Sequence, residues 1–169
     1  MAKDKIPHTP AIRMLNDCTV DYTPRPYKYE ERGGTKVASR ELAVDEHQVI
    51  KTLVMEDEHK TPFIILMHGD RSVSTKNLAR TIGAKAIQPC DPKVAHKHTG
   101  YMVGGTSPFG TRKTMTVYVE ESILSLPKIF INAGRKGFLV EMSPQELDRV
   151  LAPTPVAVAY QRKGGNAHV

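Results

Sequence analysis

The feature that most constrains the fold is the run Phe-Ile-Ile-Leu-Met at residues 63–67, five consecutive large apolar residues that follow Pro62. An apolar run of this length is typical of a β-strand that is covered on both faces. Residues 47–55 also carry apolar side chains on both faces of a strand, and an acidic turn at 56–58 joins the two segments. The sequence therefore predicts a hairpin that lies inside the protein.

Short elements punctuated by proline and glycine fill the rest of the chain. Helices are predicted near 10–18, 37–44, 75–82, 91–98 and 144–151, and further strands near 27–30, 86–87, 114–119, 128–132, 138–142 and 155–159. No regular strand–helix–strand repeat connects them. The pattern favours an α+β (mixed α/β) fold, with a mixed, mainly antiparallel sheet or partial barrel surrounded by helices.

The length of 169 residues fits one domain. We expect residues 1–160 to form this domain and residues 161–169 to be a flexible tail. No apolar stretch approaches the ~20 residues that a membrane span needs. The N-terminus is charged and has no apolar signal core, which predicts a cytoplasmic protein without a membrane partner.

The chain is basic, with 24 Lys and Arg against 18 Asp and Glu, a net charge of +6 and a pI near 9.3. Such a balance favours a polyanionic partner, although many basic proteins bind no nucleic acid. Cys18 and Cys90 stand far apart in the sequence and form no CxxC motif. They predict neither a disulfide framework nor a zinc knuckle.

The glycine-rich segment 99–110, Thr-Gly-Tyr-Met-Val-Gly-Gly-Thr-Ser-Pro-Phe-Gly, is the most unusual part of the chain. Its glycines permit positive φ angles and close backbone approach, as in loops that hold a ligand through their N–H groups. A structural crossover loop with tight turns has the same composition. The residues alone leave both interpretations open.

Lys51 lies in a predicted strand whose neighbours are mostly apolar. A lysine in this position extends its ammonium to solvent, pairs with an acid or points into a cavity. An edge-strand lysine that faces water is equally compatible with the pattern.

No histidine pattern predicts a metal site. His96 and His98 stand two residues apart on a predicted helix, which puts their rings on different faces, and no carboxylate cluster lies nearby. The other histidines are scattered along the chain: His8, His47, His59, His68 and His168. No nucleotide-binding, nucleophile-elbow or zinc-protease motif is present, so we expect neither a cofactor nor a metal.

Two basic pairs, Arg112-Lys113 and Arg135-Lys136, lie in loops that contain glycine. Such placements suit phosphate contact, although solvated turn residues are the commoner case.

Segment 99–110 closely resembles the signature loop of the YbaK/EbsC family and of the editing domains inserted in bacterial prolyl-tRNA synthetases. Residues 49–53, Val-Ile-Lys-Thr-Leu, resemble the lysine strand of that family, and residues 134–137 with 144–147 resemble its C-terminal part. Thr9-Pro10-Ala11 resembles the start of its free-standing members. The resemblance therefore extends over nearly the whole chain.

This resemblance implies a trans-editing deacylase that removes cysteine from mischarged tRNA(Pro), and also from Cys-tRNA(Cys), with mischarged tRNA and prolyl-tRNA synthetase as partners. Lys51 and Gly104 would be catalytic, with Lys51 near the terminal adenosine and its phosphate. The implied substrate-binding residues are Tyr29, Thr52, Gly104, Gly105, Thr106, Ser107, Pro108 and Asn132, and the implied tRNA contacts are Arg112, Lys113, Arg135 and Lys136. Asn132 and Leu139 depart from the family pattern, which puts a pocket role for either in doubt.

The sequence shows no protein nucleophile with an adjacent base. Following the resemblance, we hypothesise that the thiolate of the cysteinyl substrate attacks its own ester, since well-oriented intramolecular attack reaches effective molarities of ~10⁵–10⁸ M. Loop 104–108 would supply oxyanion donors. Two alternatives stay open: water-mediated deacylation of Ala- or Ser-tRNA, and a non-catalytic tRNA- or synthetase-binding module.

Overall fold

The predicted apolar hairpin forms the middle of an eight-stranded mixed sheet. The computed structural model describes residues 6–161, and the predicted tail lies almost wholly outside them. The helices are α1 (Pro10–Asp17), α2 (Gly34–Leu42), α3 (Thr75–Ile82), α4 (Pro92–Thr99) and α5 (Pro144–Leu151), with 3₁₀ turns at Glu46–Gln48 and Glu121–Ser125. The strands are β1 (Tyr22–Pro26), β2 (Val49–Asp57), β3 (Pro62–His68), β4 (Ser72–Val73), β5 (Ile87–Pro89), β6 (Thr116–Glu120), β7 (Ile129–Arg135), β8 (Phe138–Met142), β9 (Thr154–Val156) and β10 (Ala159–Tyr160).

The strand order in the main sheet is β1-β8-β7-β2-β3-β6-β9, and β5 pairs with part of β2. The β2–β3 hairpin is antiparallel and places Lys51 opposite Met67. The pairs β2–β7, β3–β6 and β6–β9 are parallel, and the other pairs of this sheet are antiparallel. The mixed sheet and the α+β class are therefore confirmed.

Apolar clusters cover both faces of β3, as the uninterrupted run predicts. Ile64 and Leu66 pack into the largest cluster, to which α1 and α5 contribute Leu15 and Leu147. Residues 63, 65 and 67 pack on the opposite face against a cluster that contains residues of α3 and β9. A third cluster joins α2 to the start of β2. No helix among the described residues is long and apolar enough to cross a membrane.

Side-chain caps define where several helices begin. Thr9 accepts a hydrogen bond from the N–H of Ile12 (3.0 Å) and donates one to the carbonyl of Ala133 (2.6 Å), which ties the start of α1 to β7. Ser74, Asp91 and Ser143 cap α3, α4 and α5 in the same way. These residue types favour such positions because their oxygens satisfy the free N–H groups of a first helical turn.

Three elements differ from the sequence expectation. Residues 27–30 form no strand, and the strand lies instead at Tyr22–Pro26. Among the described residues it pairs only with β8, and an edge strand tolerates its two prolines. Helix α2 begins at Gly34, three residues before the predicted start. The predicted strand 155–159 is two short strands in different sheets.

The fold brings together two histidines that are 21 residues apart in the sequence. The rings of His47 and His68 stack at 3.7 Å between centroids, with 6° between their planes. His68 is 1% exposed. Its Nδ1 donates to the carbonyl of His47 (2.7 Å) and its Nε2 bonds Ser122 Oγ (2.7 Å), while Nδ1 of His47 lies 2.8 Å from Asp70. His47, His68 and Asp70 offer atoms within 4.8 Å of one another, but hydrogen bonds already occupy both nitrogens of His68.

We predict that acidification destabilises the protein through His68. Burial lowers the pKa of His68 below its ordinary 6.5, so below that pH the unfolded chain binds more protons than the folded protein. The stability from this residue is complete above about pH 6.5 and falls as the pH drops, at up to ~1.4 kcal/mol per pH unit. Urea unfolding from about pH 8 to about pH 5 measures the effect.

The matched variant is His68→Asn, whose amide can still donate to the His47 carbonyl but cannot titrate. Its unfolding free energy should depend less on pH than that of the parent protein over this range. An identical pH dependence in both proteins would contradict a role for His68.

Candidate active site

Strand β2 changes its partner along one edge, and the change leaves a gap in the sheet. On this edge β2 pairs with β7 only at Val49 and Ile50, and with β5 only at residues 55–57. On this edge, residues 51–54 have no neighbouring strand within the part of the chain that the structure describes, whereas β3 pairs with them on the other edge. A cavity of about 880 Å³ opens at this gap. Because neighbouring side chains leave a strand on opposite faces, the cavity receives residues from both faces of the sheet.

Thr52 presents unpaired polar groups at this gap. The carbonyl of Val49 bonds Gly69 on the β3 side, and the carbonyl of Val54 bonds Cys90 on the opposite side. Backbone groups alternate between the two edges of a strand, so the N–H and C=O of Thr52 point toward the cavity. Its hydroxyl is also buried without a hydrogen-bond partner among the described residues. Thr52 therefore offers its N–H as a donor, its C=O as an acceptor and its hydroxyl as either to a ligand.

The cavity brings together residues from several separate segments that the sequence analysis selected. Its lining contains Tyr29, Lys51, Thr52, Gly104, Thr106, Asn132 and Lys136. The half-buried Lys51 lies in the part of β2 that borders the cavity.

The other predicted residues lie outside the cavity lining. Gly105 packs against the backbone at 135–136, where a Cβ atom would stand 2.9 Å from the nitrogen of Lys136. Ser107 is fully buried, and its hydroxyl accepts from the N–H of Phe109 (3.2 Å). Pro108 is buried beside it, so these three residues form the buried part of the loop. Arg112, Lys113 and Arg135 do not line the cavity either.

Gly104 occupies a position that only glycine fits without displacement. Its φ is +92°, and a Cβ atom there would stand 2.6 Å from the hydroxyl oxygen of Tyr29. The N–H of Gly105 donates to the carbonyl of Met102 (2.9 Å) and is occupied. Within the part of the chain that the structure describes, no hydrogen bond uses the N–H of Gly104 or Thr106. Because both residues line the cavity, these two N–H groups are candidate donors to a ligand.

Asn132 holds the loop by using all of its hydrogen-bonding capacity. Its amide donates to the carbonyls of Gly104 (3.3 Å) and Arg135 (3.1 Å). Its carbonyl accepts from the N–H groups of Gly134 (2.7 Å) and Arg135 (3.1 Å), across the irregular register between β7 and β8. Asn132 therefore lines the cavity and holds the Gly104 peptide in place by a hydrogen bond. Leu139, the other departure from the family pattern, is buried beside α2 and lines the same cavity.

An ion pair lies beside the Tyr29 ring. Lys136 Nζ is 5.2 Å from the ring centroid of Tyr29 and 3.1 Å from a carboxylate oxygen of Glu31. The hydrogen bond and charge of Glu31 raise the pKa of Lys136. Lys136 is therefore already paired with an acid within the protein.

Four further residues line the cavity that were not predicted as site residues from the sequence. Cys90 lines the cavity, but burial and then the neighbouring Glu56 raise the pKa of its thiol to about 12. The thiol stays protonated at neutral pH and is a poor nucleophile. His96 adds an imidazole from α4. Met102 and Val103 are 61% and 59% exposed at the cavity, an exposure that depends on tertiary contacts and has no sequence signal.

The model of the aminoacyl-tRNA editing domain family matches residues 30–150. The chain belongs to this family, whose function is aminoacyl-tRNA editing. It is 28% identical over 149 residues to the Enterococcus faecalis protein named "Putative Cys-tRNA(Pro)/Cys-tRNA(Cys) deacylase EbsC", covering 87% of this chain and 91% of that protein. It is also 27% identical over 97 residues to a proline–tRNA ligase of Streptococcus equi subsp. zooepidemicus, covering 57% of this chain and 16% of the ligase.

Solved structures show the same fold. The structure described as "Crystal structure of a putative trans-editing enzyme for prolyl tRNA synthetase" superposes with a TM-score of 0.77 at 19% identity, covering 91% of this chain and 99% of the other. The protein APE2540 superposes with a TM-score of 0.82 at 21% identity, covering 90% of this chain and all of the other. The mixed sheet is therefore the common framework of these proteins.

We predict that Asn132→Ala destabilises the protein and releases the loop. The truncation leaves the Gly104 and Arg135 carbonyls and two N–H groups without partners, which should lower the unfolding free energy by about 2–3 kcal/mol. Amide hydrogen exchange at residues 103–106 should become faster. Urea unfolding and hydrogen-exchange mass spectrometry provide the two measurements.

Asn132→Asp separates the hydrogen bonds that the Asn132 amide donates from those that its side-chain carbonyl accepts. It keeps an acceptor for the N–H groups of Gly134 and Arg135 but places a carboxylate oxygen against two carbonyls. Exchange at 103–106 should therefore also increase in this variant. Unchanged exchange in both variants would show that Asn132 does not hold the loop.

Proposed function

We propose that the cavity is the active site of a deacylase that removes cysteine from mischarged tRNA(Pro) and from Cys-tRNA(Cys). The observation that carries the proposal is that Lys51 and residues of loop 104–108, hereafter the Gly104 loop, line the same cavity at the open edge of β2. The overall similarity to EbsC, over 91% of that protein, supports the same substrate class.

The cavity suits the end of an aminoacyl-tRNA in size and chemistry. At about 880 Å³ it lies near the upper end of the range for small-ligand sites, which leaves room for an aminoacyl group and an adenosine. The exposed Met102 and Val103 offer apolar surface to the base. The ammonium of Lys51 suits the terminal phosphate.

The substrate supplies the nucleophile in this mechanism. A cysteine thiol has an ordinary pKa near 8.5, so a fraction of the substrate is thiolate at neutral pH and its proton has passed to solvent. The sulfur attacks the ester carbonyl carbon and forms a C–S bond. The bond from that carbon to the ribose oxygen then breaks, and the oxygen takes a proton from water. The tRNA leaves with a free hydroxyl, and the cyclic thiolactone hydrolyses to cysteine.

The protein contributes orientation and charge stabilisation. The N–H groups of Gly104 and Thr106 donate to the oxyanion that forms on the carbonyl oxygen, where one donor contributes about 2.7–4 kcal/mol. Asn132 keeps the loop in place for this role by holding the Gly104 peptide. The protonated Cys90 does not compete with the substrate thiol.

An editing enzyme of this kind is needed because a synthetase pocket discriminates poorly between amino acids of similar size. Cysteine and proline side chains are similar in size, and a methylene-scale difference gives a binding pocket only about 1–3 kcal/mol of discrimination. A second, hydrolytic site removes the resulting errors. In this role we expect the protein to act in the cytoplasm with the translation machinery, and prolyl-tRNA synthetase is its proposed partner.

We predict that Lys51→Met lowers kcat/KM for Cys-tRNA(Pro) by about 100-fold or more, since it removes the cation that lies at the open edge of β2. Lys51→Arg, which keeps the charge with a different shape, should retain more activity than Lys51→Met. The measurement is release of labelled cysteine from mischarged tRNA, with circular dichroism as the control for folding. Full activity of a folded Lys51→Met would contradict a role in catalysis.

The rate of ester cleavage should depend on the thiol of the substrate. We predict that Cys-tRNA(Pro) is cleaved at least ~100-fold faster than Ser- or Ala-tRNA(Pro), because neither serine nor alanine carries a thiol for the internal attack. Cys90→Ala should keep this preference, which excludes the protein thiol as the source. Equal cleavage of all three substrates would favour water-mediated deacylation. Binding of tRNA without cleavage of any of them would favour a binding module.

A further inference from the structure

Exposed cations of α4 and of the segment after the glycine-rich loop form a basic surface beside the cavity. Lys93 and Lys97 lie one turn apart on α4, and both are exposed. Arg112 and Lys113 lie at the end of this helix, where the N–H of Lys113 donates to the carbonyl of His98 (2.8 Å). We name the side chains of Lys93, Lys97, Arg112 and Lys113 the α4 ridge.

The cations of the α4 ridge form no ion pairs in the part of the chain that the structure describes. Elsewhere, many cations are paired with acids: Arg25, Arg40, Lys60, Arg71, Lys136 and Arg149. The carboxylate nearest in sequence, Asp91, accepts from the backbone N–H of Lys93 as the cap of α4. Burial lowers the pKa of His98, the charges of Lys113 and Lys97 lower it further, and the charge of Glu56, which forms an ion pair with Lys60, raises it.

Helix stability does not explain this arrangement. Like charges four residues apart, as at Lys93 and Lys97, destabilise an α-helix. A cluster of unpaired cations instead creates a positive potential that attracts polyanions and releases counterions when phosphates bind. The ridge is therefore a surface suited to a phosphate backbone.

We propose that the α4 ridge binds the phosphate backbone of the tRNA acceptor stem while the aminoacyl end occupies the cavity. The inference rests on the proposed function and names the surface that holds the rest of the substrate. Continuity supports it, because Lys93 belongs to the ridge and also lines the cavity. A chain that leaves the cavity past Lys93 reaches Lys97 after one helical turn and Lys113 at the end of the helix.

A second basic surface provides a comparison. A groove of about 410 Å³ beside α3 is lined by Lys76, Arg80 and Lys85 and shares no lining residue with the cavity. It carries a similar charge but has no continuity with the aminoacyl site. Acceptor-stem binding through this groove is the alternative that the experiment must separate from the ridge.

The test compares two variants that each remove two exposed cations, Lys97→Gln/Lys113→Gln on the ridge and Lys76→Gln/Arg80→Gln in the groove. The probe is an uncharged RNA hairpin with an acceptor stem and a CCA end, and affinity is measured at several salt concentrations. The ridge variant should bind on the order of tenfold more weakly, and the slope of log K against log salt should shrink by about two. The groove variant should bind like the parent protein.

Circular dichroism confirms that both variants are folded. Weaker binding by the groove variant with an unchanged ridge variant would overturn the proposal. So would unchanged RNA binding in the ridge variant accompanied by weaker binding to prolyl-tRNA synthetase, which would assign the ridge to a protein partner. Because the hairpin carries no amino acid, the result does not depend on deacylation. A parent protein that binds the hairpin through the ridge but cleaves no ester would refute the proposed function and leave the ridge assignment in place.

Discussion

Strand β2 has two partners along one edge, and the interval between them is the constraint from which the site follows. Backbone N–H and C=O groups inside a protein need partners, so an unpaired interval persists only where a ligand or solvent can satisfy them. On this edge the backbone groups that face the cavity are those of Thr52. The hairpin with β3, buried on both faces, keeps the strand rigid on its other edge. The chain thus combines a fixed strand with free hydrogen-bonding groups.

The Gly104 loop completes the cavity because several contacts fix its backbone. The Asn132 amide donates to the carbonyl of Gly104, and the Tyr29 hydroxyl occupies the space that a side chain at residue 104 would need. The hydroxyl of the buried Ser107 accepts from the N–H of Phe109. Such support from neighbouring residues orients N–H groups before a substrate arrives, and preorganised donors lose little energy in reorganisation during a reaction. The α4 ridge then extends the same site toward the rest of a nucleic-acid substrate.

Local patterns predicted much of this structure, and pairings distant in sequence account for the rest. The apolar run at 63–67 and the caps Thr9 and Ser143 act through near neighbours, so their elements were predicted correctly. Alternating tyrosines suggested a strand at 27–30, but the neighbouring segment with two prolines is the strand, because it lies at the sheet edge. The gap beside residues 51–54 and the stacking of His47 on His68 depend on which strands meet, which no local pattern encodes.

The most direct test of the proposed active site is a crystal structure with a stable cysteinyl-adenosine analogue in which an amide replaces the ester. The aminoacyl group should lie at the open edge of β2, beside Lys51. The carbonyl oxygen should lie within hydrogen-bond distance of the N–H groups of Gly104 and Thr106. The proposed site would be contradicted by an analogue bound in the groove beside α3, or by one bound in the cavity with its carbonyl turned away from the Gly104 loop.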